Sequence, residues 1–570
     1  MKEKIQEIIK NALKELNLPE CGFAVEHPNE MSHGDYSVNV AMVLSKQVGE
    51  NPKALAEKIV AQLNLTPNPL LKGEGGIQVA GPGFINLYLS REFFTESVKE
   101  IYLNNQFGKN DLFSGKKVMI EYTQPNPFKP FHIGHLMSNS IGESIARIFA
   151  WSGAKVVHAN YQGDVGPHVA KAMWVLLKKG KGDESLSTEM QAEYIGRCYS
   201  EGATAYENDE SVKAEIDEIN KKIYDKSDKD INDLYDWGRK ITLDAFETLY
   251  KILGTKFEYY FFESEMAPIG EKIVRENIGP VFDESDCAIV FHAEKYDPKL
   301  HTRVFINSKG LPTYETKEIG LTMTKFEKEN PDLSIVTTAI EQGEYMKVVQ
   351  KAISLIHPNY ENRMKHITHG MMRFASGKMS SRKGNVVTGE SLIRDSRDAI
   401  LEKLKDRDFN EEEKQKIASF VGVASLKYSI LKAAIGGDII YDFDKSISFE
   451  GDSGPYVQYS YTRANSVLEK ASKDGIEASF ENVPTDAFLL EKMLYRFPEV
   501  VFHSAEEFEP HYIATFLVEI CREFNSFYAQ NQIVNKKDEF SPYKIALTAS
   551  FASIVKNGLH LLGISVPEKM

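Results

Sequence analysis

Two histidines stand three residues apart in the run PNPFKPFHIGHLMSNSIGE, where His132 and His135 flank the dipeptide Ile-Gly. The run lies where a helix would begin, and the free N–H groups and positive dipole end of a helix N-terminus attract phosphate. Imidazoles placed there can donate hydrogen bonds to a triphosphate as negative charge builds on it. Gly134 would leave room for a ligand to approach the backbone. The run therefore predicts nucleotide chemistry, and the alternative is a pair of ordinary turn histidines before a core helix.

A second run, GKMSSRKGNVV, lies far downstream and is rich in Lys, Ser and Arg. Lys378, Arg382 and Lys383 could reach the β- and γ-phosphates of a nucleotide. Gly377 and Gly384 would let the loop close over them. The alternative is an exposed basic loop without a ligand. Its pairing with the histidine turn favours the phosphate-binding interpretation.

Hydrophobic periodicity indicates the elements that position these two runs. GKKVMIEYT, residues 115–123, is typical of a buried strand, and residues 135–150 carry apolar side chains at helical spacing. The histidine turn thus lies between a strand and a helix, which is the context in which such a motif works. Further strand candidates separated by helical patterns indicate a parallel α/β sheet over residues 113–391; they are KVVHA, AIVF, RVFIN, SIVTTA and KHITH.

Other regions flank or interrupt the predicted sheet. Residues 1–112 begin with an amphipathic helix and include two strand-like runs separated by a Gly-Pro-Gly turn, which predicts a compact α+β domain. In residues 392–570 strand signals nearly vanish and amphipathic patterns indicate an all-α domain. Residues 178–245 are charged and helical, and they predict an inserted helical hairpin.

Composition limits the possible partners. The formal net charge of −14 argues against a surface covered in nucleic acid, although it allows a local basic track, and we expect no DNA partner. The four cysteines are far apart and form no C-x-x-C pair, so we expect no structural metal and a reducing cytoplasm. Neither a signal peptide nor an apolar run of membrane-spanning length is present, so we expect no membrane partner.

The histidine turn after the first strand and the KMS-type loop after the last resemble the class I aminoacyl-tRNA synthetases. The full histidine run, followed by NYQGDVGPHVAK, TYETKEIGL and IEQGEY, is similar to the arginyl-tRNA synthetases in particular. GDYSVNVAM and VAGPGFINLYL resemble that family's N-terminal domain, which contacts the tRNA elbow. GPYVQYSYTRANSVL and NGLHLLGISVPEKM resemble its helical anticodon-binding domain. The resemblance spans nearly the whole chain and implies a Rossmann-like catalytic domain.

The resemblance implies an arginine site. Glu121 and Asn126 fall where the family holds the amino group and carboxylate of arginine, and Tyr314, Glu318 and Gln342 fall where it surrounds the side chain. The chemistry of a guanidinium agrees in part with these residues, because a guanidinium favours a carboxylate that accepts two parallel hydrogen bonds beside an aromatic ring. The alternative for Glu318 is a solvated charge on a helix.

The resemblance also implies nucleotide and tRNA sites. The expected catalytic residues are Lys129, His132, His135 and Lys378. The expected ATP-binding residues are His132, Gly134, His135, Lys378, Met379, Ser380, Ser381 and Lys383. The expected tRNA-binding residues are Phe84, Asn86, Tyr456 and Tyr459.

Two positions depart from the family pattern. The family usually has Asp where this chain has Glu318, so the carboxylate would stand one methylene farther out. Ser381 stands where the KMSKS loop would carry its second lysine. Lys129, Arg382 and Lys383 are three candidates for the missing positive charge.

The resemblance implies that ATP, with Mg²⁺ on its phosphates, activates L-arginine to an adenylate, and that the arginyl group then passes to tRNA(Arg). It also implies that tRNA binds before activation, and we expect a monomer. Three alternatives remain: another class I synthetase, a small-molecule nucleotidyltransferase, and a non-catalytic tRNA-binding paralogue.

Overall fold

The computed structural model describes residues 1–65, 69–71, 76–375 and 387–570. Its helices are α1 (Lys2–Glu15), α2 (Val40–Val48), α3 (Pro52–Leu65), α4 (Arg91–Leu103), α5 (Ile133–Trp151), α6 (Pro167–Lys179), α7 (Thr188–Asn208), α8 (Glu210–Asp225), α9 (Lys229–Leu253), α10 (Glu263–Glu276), α11 (Tyr314–Glu329), α12 (Gly343–Ile356), α13 (Gly389–Lys403), α14 (Glu411–Leu431), α15 (Phe443–Ser446), α16 (Gly454–Asp474), α17 (Leu489–Leu494), α18 (Phe497–Glu507), α19 (His511–Gln530) and α20 (Ser541–Leu561). Its strands are β1 (Val25–Glu26), β2 (Tyr36–Val38), β3 (Ile77–Ala80), β4 (Phe84–Leu87), β5 (Lys117–Glu121), β6 (Lys155–Gln162), β7 (Tyr259–Phe262), β8 (Asp283–Ser285), β9 (Ala288–Phe291), β10 (Arg303–Ile306), β11 (Leu333–Ala339), β12 (Met364–His369), β13 (Met372–Phe374) and β14 (Ile439–Tyr441).

One packed unit comprises residues 1–107, 463–497 and 520–554. Its sheet has four antiparallel strands in the order β1-β2-β4-β3. Strands β3 and β4 form the hairpin that the Gly-Pro-Gly turn predicts. The apolar stripe of α1, including Ile5 and Ile9, is buried in the core of this unit. The α+β character predicted for the N-terminal region is confirmed.

The second unit comprises residues 108–462, 498–519 and 555–570. Five parallel strands form its central sheet in the order β12-β11-β5-β6-β7. From β5 the chain continues to β6 on one side, whereas β11 lies on the other side and leads away to β12. The crevice above the carboxyl ends of β5 and β11 is thus a topological switch point, where ligands bind in open parallel sheets. The Rossmann-like parallel sheet is confirmed.

Two of the predicted parallel strands are an exception. AIVF and RVFIN form β9 and β10, which pair antiparallel in a separate sheet of order β10-β9-β8. The two residues that join β8 to β9, Asp286 and Cys287, have φ of 48° and 60°. A two-residue turn of positive φ forces an antiparallel hairpin, so the turn decides the pairing. The prediction also missed β7, whose sequence is YYFF.

The inserted segment contains three helices, so the prediction of a hairpin is wrong. After α7, Asp209 caps α8 by accepting hydrogen bonds from the backbone N–H groups of Ser211 and Val212. Asp228 caps α9 by accepting one from Ile231. Each aspartate satisfies free N–H groups at a new helix start, which favours a helix boundary inside a charged run.

A buried lysine joins three helices of the second unit. Lys427, in α14, donates hydrogen bonds from Nζ to the carbonyl oxygen of Leu253 at 2.6 Å and to that of Gly563 at 2.8 Å. These carbonyls lie at the C-terminal ends of α9 and α20, where free carbonyls need donors. Burial lowers the pKa of Lys427 to about 7.

Among the helices described, none combines the length and apolar character needed to span a bilayer.

Helices α10 and α11 pack through glycines, and this contact sets the position of α11. A Cβ added at Gly320 would lie 2.2 Å from the carbonyl oxygen of Met266, and one added at Gly270 would lie 1.9 Å from that of Thr316. Real Cβ atoms do not approach so closely, so a larger residue at either position would push the two helices apart.

We predict that Gly320→Ala lowers the free energy of unfolding by about 1–3 kcal/mol, the usual cost of overpacking. Thermal unfolding of the ligand-free protein would measure it. Gly437→Ala is the matched control, because an added Cβ there meets nothing within 4 Å. If the two variants unfold at the same temperature, the glycine contact is not what holds α11.

Candidate functional site

The segment between β5 and α5 has an unusual backbone. Thr123, Gln124 and Phe128 have φ of 80°, 52° and 66°, in the left-handed region that residues with side chains rarely adopt. Such conformations cost free energy and persist only where neighbouring structure holds them, and they cluster at binding and catalytic sites. The strained segment leads directly into the histidine turn.

The two histidines of the turn cap α5 together. The backbone N–H of His132 donates to Nδ1 of His135 at 3.2 Å, and that of His135 donates to Nδ1 of His132 at 3.4 Å. The two rings stack with centroids 3.4 Å apart. Because each Nδ1 accepts a hydrogen bond, the proton of each neutral ring is on Nε2. Neither Nε2–H has a hydrogen-bond partner among the described residues, so both are available to a ligand.

Burial keeps both rings neutral. Burial and the nearby charge of Lys129 lower the pKa of His132 to about 4. Burial, followed by the charges of His132 and Lys129, lowers the pKa of His135 well below its ordinary value. Burial and the charge of Lys171 also lower the pKa of Lys129. The positive charge at this end of the site therefore comes from Lys129 and the helix N-terminus rather than from the imidazoles.

Gly134 lies against the ring of His132. A Cβ there would lie 3.1 Å from that ring. The absence of a side chain therefore makes room for the stacked imidazole. That it also makes room for a ligand at the backbone stays a prediction.

A cleft of about 1520 Å³ opens beside the turn. Lys129 and His132 line it, together with Glu193 and Tyr199 of α7 and Glu390 of α13. Such a volume exceeds that of an ordinary small-molecule pocket. The inserted helices thus form one wall of the space next to the histidine turn.

Five charged side chains lie buried at the carboxyl edge of the sheet. Glu121, at the end of β5, forms an ion pair with Lys325 and accepts a hydrogen bond from Nε2 of Gln124 at 2.7 Å. Glu263, the first residue of α10, forms an ion pair with Lys317 at 2.7 Å. The fifth charged residue, Glu318, has no hydrogen bond or ion pair with any residue that the structure describes.

Glu318 is therefore a buried carboxylate without a partner. Burial, with the charges of Glu121 and Glu263 and against that of Lys325, raises the pKa of Glu318 to about 8. Tyr161 and Tyr345 share this environment, because burial and the charge of Glu318 raise the pKa of both phenols. The hydroxyl oxygen of Tyr161 is buried and also lacks a partner in the described structure. A cation that entered the pocket would therefore pair with Glu318.

The other expected arginine-site residues differ in exposure. Asn126 accepts a hydrogen bond from the backbone N–H of Gly163 at 3.0 Å through Oδ1, and its amide Nδ2 has no partner among the described residues. Tyr314 is 60% exposed at the start of α11, one turn before Glu318. Gln342 is exposed in the turn after β11. Only Glu121, Asn126 and Glu318 line the buried part of the site.

The expected tRNA-binding residues also differ. Phe84 is 37% exposed at the β3–β4 turn. Asn86 is buried in the sheet and its Oδ1 accepts a hydrogen bond from Ser37, and a tRNA contact there stays a prediction. Tyr456 and Tyr459 are half-buried on α16. The expected residues of the KMS-type loop lie outside the described residues; they are Lys378, Met379, Ser380, Ser381, Arg382 and Lys383.

Sequence reasoning missed the buried lysines and Glu263. Lys325 lies seven residues after Glu318 on α11, and this spacing places both on one helix face. In the structure nearly every residue from Glu315 to Phe326 is buried, although the stretch is rich in charge, and the sequence carries no signal of this burial. The sequence of a charged helix predicts an exposed helix unless its partners are known. The partners here, Glu121 and Glu263, come from distant parts of the chain.

Three family descriptions match the chain. "tRNA synthetases class I (R), catalytic domain" matches residues 97–443, "DALR anticodon binding domain" matches residues 457–570, and "Arginyl tRNA synthetase N terminal domain" matches residues 3–89. Together the three matches cover most of the sequence.

Individual relatives give the same result. The chain is 33% identical to an arginine–tRNA ligase of Fusobacterium nucleatum over 553 residues, which cover 94% of the chain and 93% of that relative. It is 29% identical over 582 residues to one of Clostridium botulinum, covering 100% of both. The solved arginyl-tRNA synthetase of Thermus thermophilus, 23% identical, has a TM-score of 0.81 and covers 100% of both chains, which shows a shared fold.

The raised pKa of Glu318 predicts a pH-dependent stability. Unfolded, this carboxyl ionises near its ordinary value of 4.5, whereas folded it keeps its proton to about pH 8, so stability falls as pH rises between these values. Glu318→Gln cannot ionise, so ligand-free Glu318→Gln should match wild type in unfolding temperature near pH 5 and exceed it near pH 9. Glu327→Gln, on the exposed face of α11, is the control. A Glu318→Gln profile parallel to wild type would contradict the buried, unpaired carboxylate.

Proposed function

The chain belongs to the arginyl-tRNA synthetase family, and on that premise we propose that the pocket around Glu318 binds the guanidinium of arginine and that the histidine turn binds the phosphates of ATP. The reaction is the class I aminoacylation that joins arginine to tRNA. What remains to be assigned is which residues of this chain perform each part of it.

The unpaired carboxylate of Glu318 carries the proposal. Once Glu318 is ionised, three carboxylates and two ammonium groups leave the pocket with one negative charge in excess. A guanidinium neutralises that charge and can give Glu318 two parallel hydrogen bonds, whereas a lysine side chain offers only a compact point charge. The tyrosines Tyr161 and Tyr345 supply aromatic surface beside it. Tyr314 and Gln342, which are exposed, would cover the guanidinium from the solvent side.

The two ends of the amino-acid backbone need separate partners. Nδ2 of Asn126 can donate a hydrogen bond to the carboxylate of arginine, because only its Oδ1 is engaged. Glu121 can accept from the α-ammonium group while it keeps its ion pair with Lys325, since a carboxylate has about four lone-pair sites. These contacts would hold the carboxylate of arginine toward the histidine turn.

At the other end, the neutral histidines act as hydrogen-bond donors. A carboxylate oxygen of arginine attacks the α-phosphorus of ATP, the bond to the β-phosphate oxygen breaks, and pyrophosphate leaves with the electron pair. Nε2–H of His132 and of His135 can donate to phosphate oxygens as charge develops there. Lys129 supplies the positive charge that Ser381 cannot. Lys378, Met379, Ser380, Ser381 and Lys383 are proposed to cover the phosphates on the basis of the resemblance alone.

The second step transfers the activated amino acid. A hydroxyl group of the terminal adenosine of tRNA(Arg) attacks the carbonyl carbon of arginyl-adenylate, and AMP leaves. Phe84, Asn86, Tyr456 and Tyr459 are proposed tRNA contacts. The three aromatic rings among them are at least partly exposed and can stack on unpaired bases. We propose a division into residues 1–112, 113–391 with the 178–245 insertion, and 392–570. The family descriptions match residues 3–89, 97–443 and 457–570, so the catalytic match extends beyond residue 391.

A metal is assigned no step of its own. The described residues include no group of three or more His, Cys, Asp or Glu side chains that could hold a metal ion. Mg²⁺ enters the proposal only as the partner of the ATP phosphates, whose oxygens are its usual ligands.

We also propose that the chain acts as a monomer in the cytoplasm, and light scattering should give the mass of one chain.

Aminoacylation of total tRNA with each of the twenty amino acids tests the proposed function. Only arginine should be accepted, and exchange of pyrophosphate into ATP should require tRNA. Charging with another amino acid would reject the arginine pocket. Exchange without any charging of tRNA would indicate a small-molecule nucleotidyltransferase.

We predict that Glu318→Gln raises the KM for arginine far more than the KM for ATP. Removing one member of a buried charge pair costs about 2–5 kcal/mol, so kcat/KM for arginine should fall accordingly. Glu318→Asp is the matched control, because it keeps the charge and shortens the side chain by one methylene. An arginine KM for Glu318→Gln within about twofold of wild type would place the substrate elsewhere.

We predict that His132→Ala slows adenylate formation and leaves arginine binding nearly unchanged. The loss of one donor to developing phosphate charge costs about 2.7–4 kcal/mol in transition-state stabilisation. Because the pKa of His132 is about 4, the loss should be the same at pH 6 and pH 8. A defect that disappears at one of these pH values would show that a charged imidazole acts instead.

A further inference from the structure

Four consecutive residues before the histidine turn each contact the inserted helices. The ring of Phe128 stacks on Tyr235 of α9 with centroids 5.8 Å apart. The ammonium of Lys129 lies 5.3 Å from the ring centre of Tyr199 of α7. The next two residues contact the same helices: Pro130 packs on α7 and Phe131 lies beside Phe246 of α9 at 6.3 Å.

Two of these contacts require glycine. A Cβ added at Gly238 of α9 would lie 2.5 Å from the ring of Phe128, and one added at Gly196 of α7 would lie 3.1 Å from the ring of Pro130. The inserted helices therefore approach the segment at backbone distance. Phe128 is one of the residues with positive φ, and its backbone N–H also donates to Oγ1 of Thr242 in α9 at 3.4 Å. The strained conformation is thus held from outside the sheet.

Helix α9 holds a second loop of the site as well. Arg239 donates from Nε to Asp164 at 3.0 Å, and the hydroxyl of Tyr235 donates to the carbonyl oxygen of Asp164 at 3.1 Å. Asp164 follows Gly163, whose N–H donates to Asn126. The loops after β5 and β6 are therefore attached to the same inserted helix.

We propose that the inserted helices α7 and α9 position Lys129 for the activation step, with Tyr199, Gly238 and Phe128 as positioning residues. Phe128 and Pro130 fix the backbone on either side of Lys129, and the ring of Tyr199 fixes the ammonium group through a cation–π contact. The inference rests on the proposed role of Lys129 at the phosphates. The proposal gives the inserted helices a function in the second unit, which contains the histidine turn.

The test measures ATP–pyrophosphate exchange by the full chain with tRNA present. Tyr199→Leu removes the ring and should lower kcat/KM for ATP by about tenfold, within the range that a small misplacement of a catalytic group produces. Tyr199→Phe keeps the ring and should stay within about twofold of wild type. The KM for arginine should change little in either variant.

A double-mutant cycle distinguishes positioning from a merely structural role. If Tyr199 acts through Lys129, Tyr199→Leu should cause no further loss in a Lys129→Met background. An equal loss in both backgrounds, or wild-type activity of Tyr199→Leu alone, overturns the proposal. Wild-type activity of Lys129→Met would instead reject the proposed role of Lys129 itself.

Tyr206→Leu is the matched control. Tyr206 is on the same helix, and the ammonium of Lys171 lies 4.3 Å from its ring centre, but it does not contact residues 128–131. Its loss should leave exchange within about twofold of wild type. An equal defect in Tyr206→Leu and Tyr199→Leu would mean that any disturbance of α7 suffices, and the proposal would fail.

Gly238 provides a second measurement. Gly238→Ala should lower kcat/KM for ATP, because its methyl group displaces the ring of Phe128. If the methyl group acts through that ring, Gly238→Ala should cause no further loss in a Phe128→Leu background. Thermal unfolding confirms that each variant is folded. An equal loss in both backgrounds would show that Gly238 does not act through Phe128.

Discussion

A carboxylate removed from water must meet a positive charge or keep its proton, and this constraint sets the chemistry of the pocket at the sheet edge. Lys325 meets Glu121 and Lys317 meets Glu263, while Glu318 is left without a partner. Helix α11 carries both lysines and the unpaired glutamate, so one helix supplies three of the five charged groups of the pocket. Under the proposed function, the charge balance as well as the shape of the pocket selects a guanidinium. The glycine contact with α10 matters because it fixes this helix.

The two ends of the site use different electrostatic means. At the proposed amino-acid end, Glu318 has no cationic partner among the described residues, and the substrate would supply one. At the phosphate end, the histidines stay neutral because burial lowers the pKa of each, and their tautomer is set by the backbone. Directed hydrogen bonds and positive potential are thus supplied by separate groups. Near neutral pH the two imidazoles do not titrate, whereas Glu318 does.

Local features were predictable from the sequence, and features that depend on distant partners were not. The histidine turn, its strand and its helix lie together in the chain, so pattern and spacing were sufficient. The pairing of Glu121 with Lys325 joins a strand to a helix about 200 residues later, and the sequence near either residue does not indicate this pairing. Asn86 shows the same limit, since its partner Ser37 lies on a neighbouring strand. Strand β9 was located correctly but placed in the wrong sheet, because an apolar run does not reveal what it pairs with.

The buried amine of Lys427 has a consequence for the order of events during synthesis. Its two carbonyl partners lie 174 residues before it and 136 residues after it. Translation adds about 5–20 residues per second, so Gly563 is added to the chain roughly 7 to 27 seconds after Lys427. During that interval the amine can satisfy only the end of α9, and a polar group with half its partners is costly to bury. The core of the second unit should therefore form late, after the C-terminal end of α20 has been synthesised and has packed in place.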